Sequence, residues 1–165
     1  MSLGLYLHIP YCFSKCRYCD FYSHPGERGV PEAYVDALLR ELDRFAPEAP
    51  LQPDTLYFGG GTPSLLRPEQ AKRLIDAARP MPGAEITLEA NPETVTEESL
   101  AGFREAGVNR ISFGVQSARD TQLRTLAGRI RQNSAGCICR RPARRVYEHQ
   151  RRHHAGTAAL HRSRV

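Results

Sequence analysis

"AEITLEANPETVTEESLAGFREAGVNRISFGVQS", residues 84–117, holds the pattern that decides the fold. Residues 84–90 are a short run of β-formers, and Asn91-Pro92 then forces the chain out of the strand, because the residue before proline is restricted and proline has no amide to give to a ladder. "TEESLAGFREAG" (96–107) reads as a helix, with Thr96 as N-cap and Gly107 just past the end. "NRISFGVQS" (109–117) is again a strand, with Gln116 near its end. Strand, helix and strand at this spacing predict a βα unit feeding a parallel neighbour.

The same grammar extends toward the N-terminus. "DTLYFGG" (54–60) is a strand ending in glycine, and "RPEQAKRLIDAAR" (67–79) is a helix behind it. "LGLYLHI" (3–9) is a first strand. "PEAYVDALLRELDRFA" (31–46) opens with Pro at a helix start, and Tyr34, Val35, Leu38, Leu39 and Leu42 make one apolar face. Four legible βα repeats predict an α/β protein with a parallel sheet and helices outside it. Ligand-binding residues in such folds collect in the loops after the strands' C-terminal ends.

The 165 residues are 41% apolar and 25% charged, the balance of a globular protein. No apolar run approaches the roughly 20 residues of a membrane span. "MSLGLYLHIP" has no basic n-region and no small-residue cleavage site, so it reads as the first strand and not as a secretion signal. A reducing, cytoplasmic location is the resulting expectation, and clustered cysteines there point to metal or redox chemistry before disulfides.

The net charge of +5 hides an asymmetry. Residues 1–118 carry 11 Lys and Arg against 16 Asp and Glu; residues 119–165 carry 12 Arg against 2 acids. From about residue 118 the periodic pattern stops, and the segment is rich in Arg, His, Ala and Gly. A basic arm that grips phosphates is one reading. Composition and periodicity break at one point, however, which favours an out-of-frame segment. The expected division is therefore 1–118 as a folded core and 119–165 as a basic tail of low order.

"YCFSKCRYCD" (11–20) places Cys12, Cys16 and Cys19 in one loop after the first strand. Thiolates bind iron–sulfur clusters and zinc. Three of them ligate three irons of a four-iron cluster and leave the fourth open, whereas structural zinc wants four closed ligands. His8 is the candidate fourth zinc ligand, although strand one sets its direction. Inert buried thiols fit poorly beside Lys15 and Arg17. The iron–sulfur reading is preferred, with zinc as the alternative.

Cys12-x3-Cys16-x2-Cys19 directly after a first strand resembles the radical S-adenosylmethionine (SAM) signature. The wider string "YLHIPYCFSKCRYCDFYSH" is similar to the coproporphyrinogen III dehydrogenase-like family, which contains the oxygen-independent coproporphyrinogen oxidases and the heme chaperones (HemW). The oxidase branch tends to carry a further cysteine two residues after the third; Phe21 stands here, as in the chaperone branch. The resemblance covers residues 3 to about 117. It implies a partial (β/α)6 radical-SAM barrel, a 4Fe–4S cluster on the three cysteines, and SAM chelated at the open iron and reductively cleaved to a 5′-deoxyadenosyl radical. It also implies heme or porphyrin as a partner, and an electron donor such as flavodoxin or ferredoxin.

Further motifs carry the resemblance. "FGGGTPSLL" (58–66) is by itself most often a turn, but its place after strand two resembles the loop that holds the SAM amino group, at Gly60, Gly61 and Thr62. Glu89, alone, reads as a solvated acid; within "LEANPETV" it matches the family's strand-three carboxylate, aimed at the barrel mouth. Gln116 matches the family's "S-x-G-x-Q-S" and is expected to make paired hydrogen bonds to ligand. Tyr6 matches a SAM-contacting tyrosine, where residue type alone suggests core packing. Tyr18 matches an aromatic position flanking the cluster. Arg129, in "LAGRIRQNS", stands one residue from a family arginine, and the histidine expected after it is absent.

A whole domain of that family has six βα units and a C-terminal domain. With four strands legible, this chain is expected to be a truncated part that holds the cluster and part of SAM without completing a reaction, so enzyme activity stays open. Two other readings are a zinc module with a basic nucleic-acid arm and a non-functional translation product. Under the preferred reading nucleic acid is not a partner.

Overall fold

A computed structural model of the chain describes residues 3–16, 18–25, 28–45, 51–117 and 161–162. Four parallel strands form the sheet: β1 (Leu3–Ile9), β4 (Thr55–Gly60), β5 (Glu85–Ala90) and β6 (Arg110–Phe113), in the order β6-β5-β4-β1. Two short strands, β2 (Tyr11–Cys12) and β3 (His24–Pro25), pair with each other instead. His161–Arg162 (β7) lies antiparallel on the other side of β1, in a stretch where the sequence shows no strand period. The helices are α1 (Glu32–Phe45), α2 (Pro68–Ala78) and α3 (Glu97–Glu105).

Alternation along each strand divides the sheet into two faces. Leu5, Leu7 and Ile9 of β1, Leu56 and Phe58 of β4, and Ile86 and Leu88 of β5 are buried together with Val35, Leu42, Leu74, Ile75 and Phe103 of the helices. Tyr6 and His8, Tyr57 and Gly59, Thr87 and Glu89, and Arg110 and Ser112 alternate with them and share the opposite face. One face is therefore the core, and the other is polar and meets the site.

The expected helix signals operate as read. The Thr96 hydroxyl accepts from the Ser99 amide at 3.1 Å, and the Ser99 hydroxyl accepts from the Thr96 amide at 2.9 Å, a reciprocal capping box. Gly107 follows α3 at φ +112°, a conformation that an L side chain rarely adopts. Pro68 opens α2, where its missing N–H costs nothing. Val35 and Leu42 of the foreseen α1 face are buried, with Tyr34, Leu38 and Leu39 packed against the core.

Asn109 ties the α3–β6 connection to β5 in a way that residue type alone did not reveal. Its Oδ1 accepts from the Ile86 amide and its Nδ2 donates to the Ala84 carbonyl, both at 2.8 Å. The side chain thus continues the ladder one step beyond β6. Asn109→Ala is expected to cost about 1 kcal/mol, because water reaches this exposed position and replaces part of the loss; urea unfolding measures it.

The fourth strand is shorter than expected. It ends at Phe113, where the sequence reads strand to Ser117. The Gly114 amide still donates to the Ala90 carbonyl, but the Val115 amide turns back to the Phe113 carbonyl at 2.9 Å. That tight turn leads the chain off the sheet. No strand among the described residues pairs with the outer edge of β6.

Candidate functional site

The cysteine loop is a closed excursion from the C-terminal end of β1. Its neck is the β2–β3 pair, with Tyr11 opposite His24, and the His24 amide donates to the Pro10 carbonyl at 2.6 Å. Lys15 braces the interior, its ammonium donating to the Phe21 carbonyl at 2.6 Å and to the Ser23 hydroxyl at 3.3 Å. The Cys19 amide donates to the Cys16 carbonyl, so a turn joins these two. All three thiols are free; Cys12 is buried, Cys16 and Cys19 are half-buried.

Burial, foremost, holds the Cys16 thiol above its ordinary pKa. A hydrogen bond from Tyr18 opposes this, and negative charge at Cys19, Cys12 and Glu93 reinforces it. Tyr18 is in turn pushed well above the usual phenol range, by burial and then by charge on Cys16. Tyr18 thus keeps its proton and can donate to sulfur. Its ring is 45% exposed and joins Phe13, Phe21 and Tyr22 as an aromatic surround to the loop. Among the described residues no three His, Cys, Asp or Glu side chains stand converged as a ready-made metal site. The donor set nonetheless suits a thiolate-bound cluster: three soft ligands lie within one short loop, closed at its base and near enough to influence one another's protonation.

The glycine turn lies under that loop. A Cβ on Gly61 would fall 2.6 Å from the Tyr11 carbonyl oxygen and 2.9 Å from Cys12 Sγ. Gly60, at φ +117°, would meet the His8 ring at 2.6 Å, and Gly59 would meet the Tyr6 ring at 2.7 Å. The three glycines therefore make room first for protein groups of β1 and the cysteine loop. Their amides are also engaged internally. Gly60 N–H donates to Glu89 Oε2 at 3.3 Å, Gly61 N–H to the Ile9 carbonyl at 2.9 Å, and Thr62 N–H to the Tyr11 carbonyl at 2.7 Å. Thr62 is buried, and its hydroxyl reaches Cys12 Sγ at 3.5 Å. These N–H groups are thus occupied within the protein. An ammonium ligand needs acceptors, so the spent donors do not disqualify the turn.

Glu89 sits on the polar face of β5, where the sequence placed it. It is not a free solvated acid: Tyr57 donates to Oε1 at 2.6 Å, in addition to the Gly60 amide on Oε2. Tyr6 stacks on Tyr57, ring centres 5.9 Å apart and planes 15° apart. Burial first, and then the Glu89 charge, pushes the Tyr6 phenol up to about 12. His8 does not join the cysteines as a fourth ligand in this arrangement. Its Nε2 lies 3.2 Å from the Tyr22 carbonyl oxygen, its Nδ1 lies 3.4 Å from the Tyr6 hydroxyl, and its ring covers Gly60.

The expected residues are therefore brought together unequally. Cys12, Gly60, Gly61, Thr62, Glu89 and Tyr6 form one connected cluster at the ends of β1, β4 and β5. Cys16, Cys19 and Tyr18 lie in the loop beside it. Gln116 is exposed in the segment after β6, and not at a strand end on the inward face, because the turn at 113–115 releases the chain. Arg129 lies outside the described residues. Tyr57, which holds Glu89, was missed; its position two residues before Gly59 and alternate to Leu56 and Phe58 is the signal that puts it on the polar face.

Comparison with known proteins agrees with this geometry. The Radical SAM superfamily model matches residues 6–140. The heme chaperone HemW of Escherichia coli (strain K12) is 47% identical over 134 residues, which is 78% of this chain and 35% of that protein. The HemW of Mycobacterium tuberculosis (strain H37Rv) is 42% identical over 132 residues, covering 74% of this chain and 34% of that protein. Among solved structures, the coproporphyrinogen III oxidase HemN from Escherichia coli, described as a radical SAM enzyme, aligns with a TM-score of 0.70 at 30% identity, covering 83% of this chain and 35% of that one. The chain thus spans about a third of the length of these relatives.

Proposed function

We propose that this chain, which belongs to the radical SAM superfamily, binds a 4Fe–4S cluster through Cys12, Cys16 and Cys19 and holds SAM against the glycine turn and Glu89. The observation that carries this is the seating of the three-thiol loop. Its neck and its first cysteine rest directly on Gly61 and Thr62, at the C-terminal ends of adjacent parallel strands. When bound, the cluster supplies the single electron that cleaves a sulfonium, chemistry that belongs to the cofactor.

The chain's own residues bind and orient. Cys16 must lose a proton to ligate, and Tyr18 can then donate to its sulfur. Thr62 donates to Cys12 and keeps that sulfur against the turn. Glu89, held by two hydrogen bonds, offers acceptor capacity to an ammonium or ribose hydroxyl, and Tyr6 keeps its proton at neutral pH as a neighbouring donor. Gly60, Gly61 and Thr62 contribute backbone acceptors, and Gln116 can fold toward a ligand once one is present. Arg129 belongs to the same proposed set.

The physiological role proposed is in heme or porphyrin metabolism, as a heme-chaperone-like protein. The alternative branch is coproporphyrinogen oxidation. Phe21 in place of a fourth loop cysteine and the 47% identity to a heme chaperone favour the former. A reductant such as flavodoxin or ferredoxin, and a reducing cytoplasmic setting that keeps the thiols free, complete the proposal. No helix among the described residues is long and apolar enough to cross a membrane.

The test is anaerobic reconstitution of the full chain with iron and sulfide. A brown, oxygen-sensitive protein whose EPR signal changes on adding SAM is the expected result. A colourless protein that retains zinc instead would overturn it. Titration with hemin then separates the branches: a stable Soret shift supports the chaperone reading, and its absence removes that support.

A further inference from the structure

On the polar face of the sheet a side-chain chain runs toward Glu89 from two neighbouring strands. Tyr57 Oη donates to Glu89 Oε1 at 2.6 Å, the short distance of a charge-assisted bond. The Tyr57 ring is held by stacking on Tyr6 of β1. Ser112 of β6, opposite Glu89 in the register, and Arg110 of the same strand are near enough to the Tyr57 hydroxyl to act on its charge. Arg110 in turn donates to Glu85 Oε1 at 3.2 Å and to Thr87 Oγ1 at 3.3 Å, which fixes it across β5. With Oε1 taken by Tyr57 and Oε2 reached by the Gly60 amide, the carboxylate has no freedom to swing. Its remaining lone pairs point where those two bonds leave them.

We propose that Tyr57 is a positioning residue for ligand binding: through one hydrogen bond, backed by the Tyr6 ring and the neighbouring Ser112, it fixes the orientation of the Glu89 carboxylate that receives the ammonium or ribose group of SAM. This inference rests on the assignment of Glu89 to the SAM site made above. Burial and the bond to Glu89 push the Tyr57 phenol well above its usual range, so it remains a donor under all ordinary conditions.

The experiment measures SAM affinity by titration calorimetry on the reconstituted full chain, for wild type, Tyr57→Phe, Glu89→Gln and the double variant. Phe keeps the ring stacked on Tyr6 and removes only the O–H. Tyr57→Phe is expected to weaken SAM about tenfold, the size of one hydrogen bond to a charged group, with iron content unchanged and the melting temperature lowered only modestly. In the Glu89→Gln background the same change is expected to add nothing, because the group it acts through is gone. Additive losses in the double variant would mean that Tyr57 is merely structural and would overturn the proposal. A loss with Glu89→Gln but none with Tyr57→Phe would overturn it while leaving the Glu89 assignment intact. No loss with Glu89→Gln would overturn both. Ser112→Ala, opposite Glu89 in the β5–β6 register, gives a second handle should Tyr57→Phe not fold. It is expected to weaken SAM by about twofold to threefold, and an unchanged affinity there would count against the proposal.

Discussion

Replacing any one of Cys12, Cys16 or Cys19 with alanine is expected to abolish retention of iron and sulfide after anaerobic reconstitution. Two thiolates in an open loop cannot hold a four-iron cluster against dissociation, so the loss is complete and not graded. The variants differ in their effect on the fold. Cys12 is buried and accepts from Thr62, so its loss also costs about 1 kcal/mol of stability. Cys16 and Cys19 are half-buried, and their removal should leave the unfolding midpoint within about 0.5 kcal/mol of wild type. Iron retention in Cys19→Ala equal to wild type would break the assignment of the loop as the cluster site. Loading should also depend on pH with a definite sign. The Cys16 thiol is raised above its ordinary pKa, and ligation releases its proton, so loading rises as pH increases from 7 toward 9 and falls below neutrality. Iron content after reconstitution at stepped pH checks this.

Gly61→Ala is expected to be the most disruptive alanine substitution among the described glycines. The added Cβ would meet three groups: the Tyr11 carbonyl oxygen at 2.6 Å, Cys12 Sγ at 2.9 Å and the Ile9 carbonyl oxygen at 3.0 Å. Two of them are backbone and cannot rotate away. Relief requires moving the β1–β2 corner off the turn, which breaks the Gly61 N–H to Ile9 and Thr62 N–H to Tyr11 bonds. The cost is about 3 kcal/mol, at the upper end for overpacking. Because Cys12 sits at the displaced corner, cluster retention is expected to fall together with stability, although no ligand has been changed. Alanine at Gly83, whose Cβ would meet nothing within 4 Å, is the matched control: its φ of +83° strains the backbone but leaves the site alone. Urea unfolding and iron analysis of the two variants side by side decide it.

The layout of the sheet was legible because every strand core is built from β-formers at alternate positions and every helix carries its own punctuation. Thr96 and Gly107 bracket α3 as read, and the Asn91-Pro92 break ends β5 where it was placed. The cysteine spacing and the glycine triplet pointed to the candidate site, since both motifs are local in the chain. Pairings between strands were not legible. Nothing near Tyr57 in sequence announces Glu89, which is 32 residues away and reaches it only through the parallel register of β4 and β5. The same holds for Asn109 capping the ladder of β5. The overlong fourth strand has a different cause. "FGVQS" has strand-compatible residues, but the backbone bond from Val115 to Phe113 ends the pairing first, and β propensity gives way to a local turn.

The knot of backbone bonds at the base of the cysteine loop has a thermodynamic corollary. A flexible stretch of this length loses ring-closure entropy when its ends are brought together. Here the Tyr11–His24 pairing and the His24 to Pro10 bond impose that closure through the protein's own backbone. Metal affinity is thereby coupled to the integrity of β1 itself. Mild denaturant should strip iron in the same cooperative step that melts the strand, instead of releasing it early from a dangling appendage.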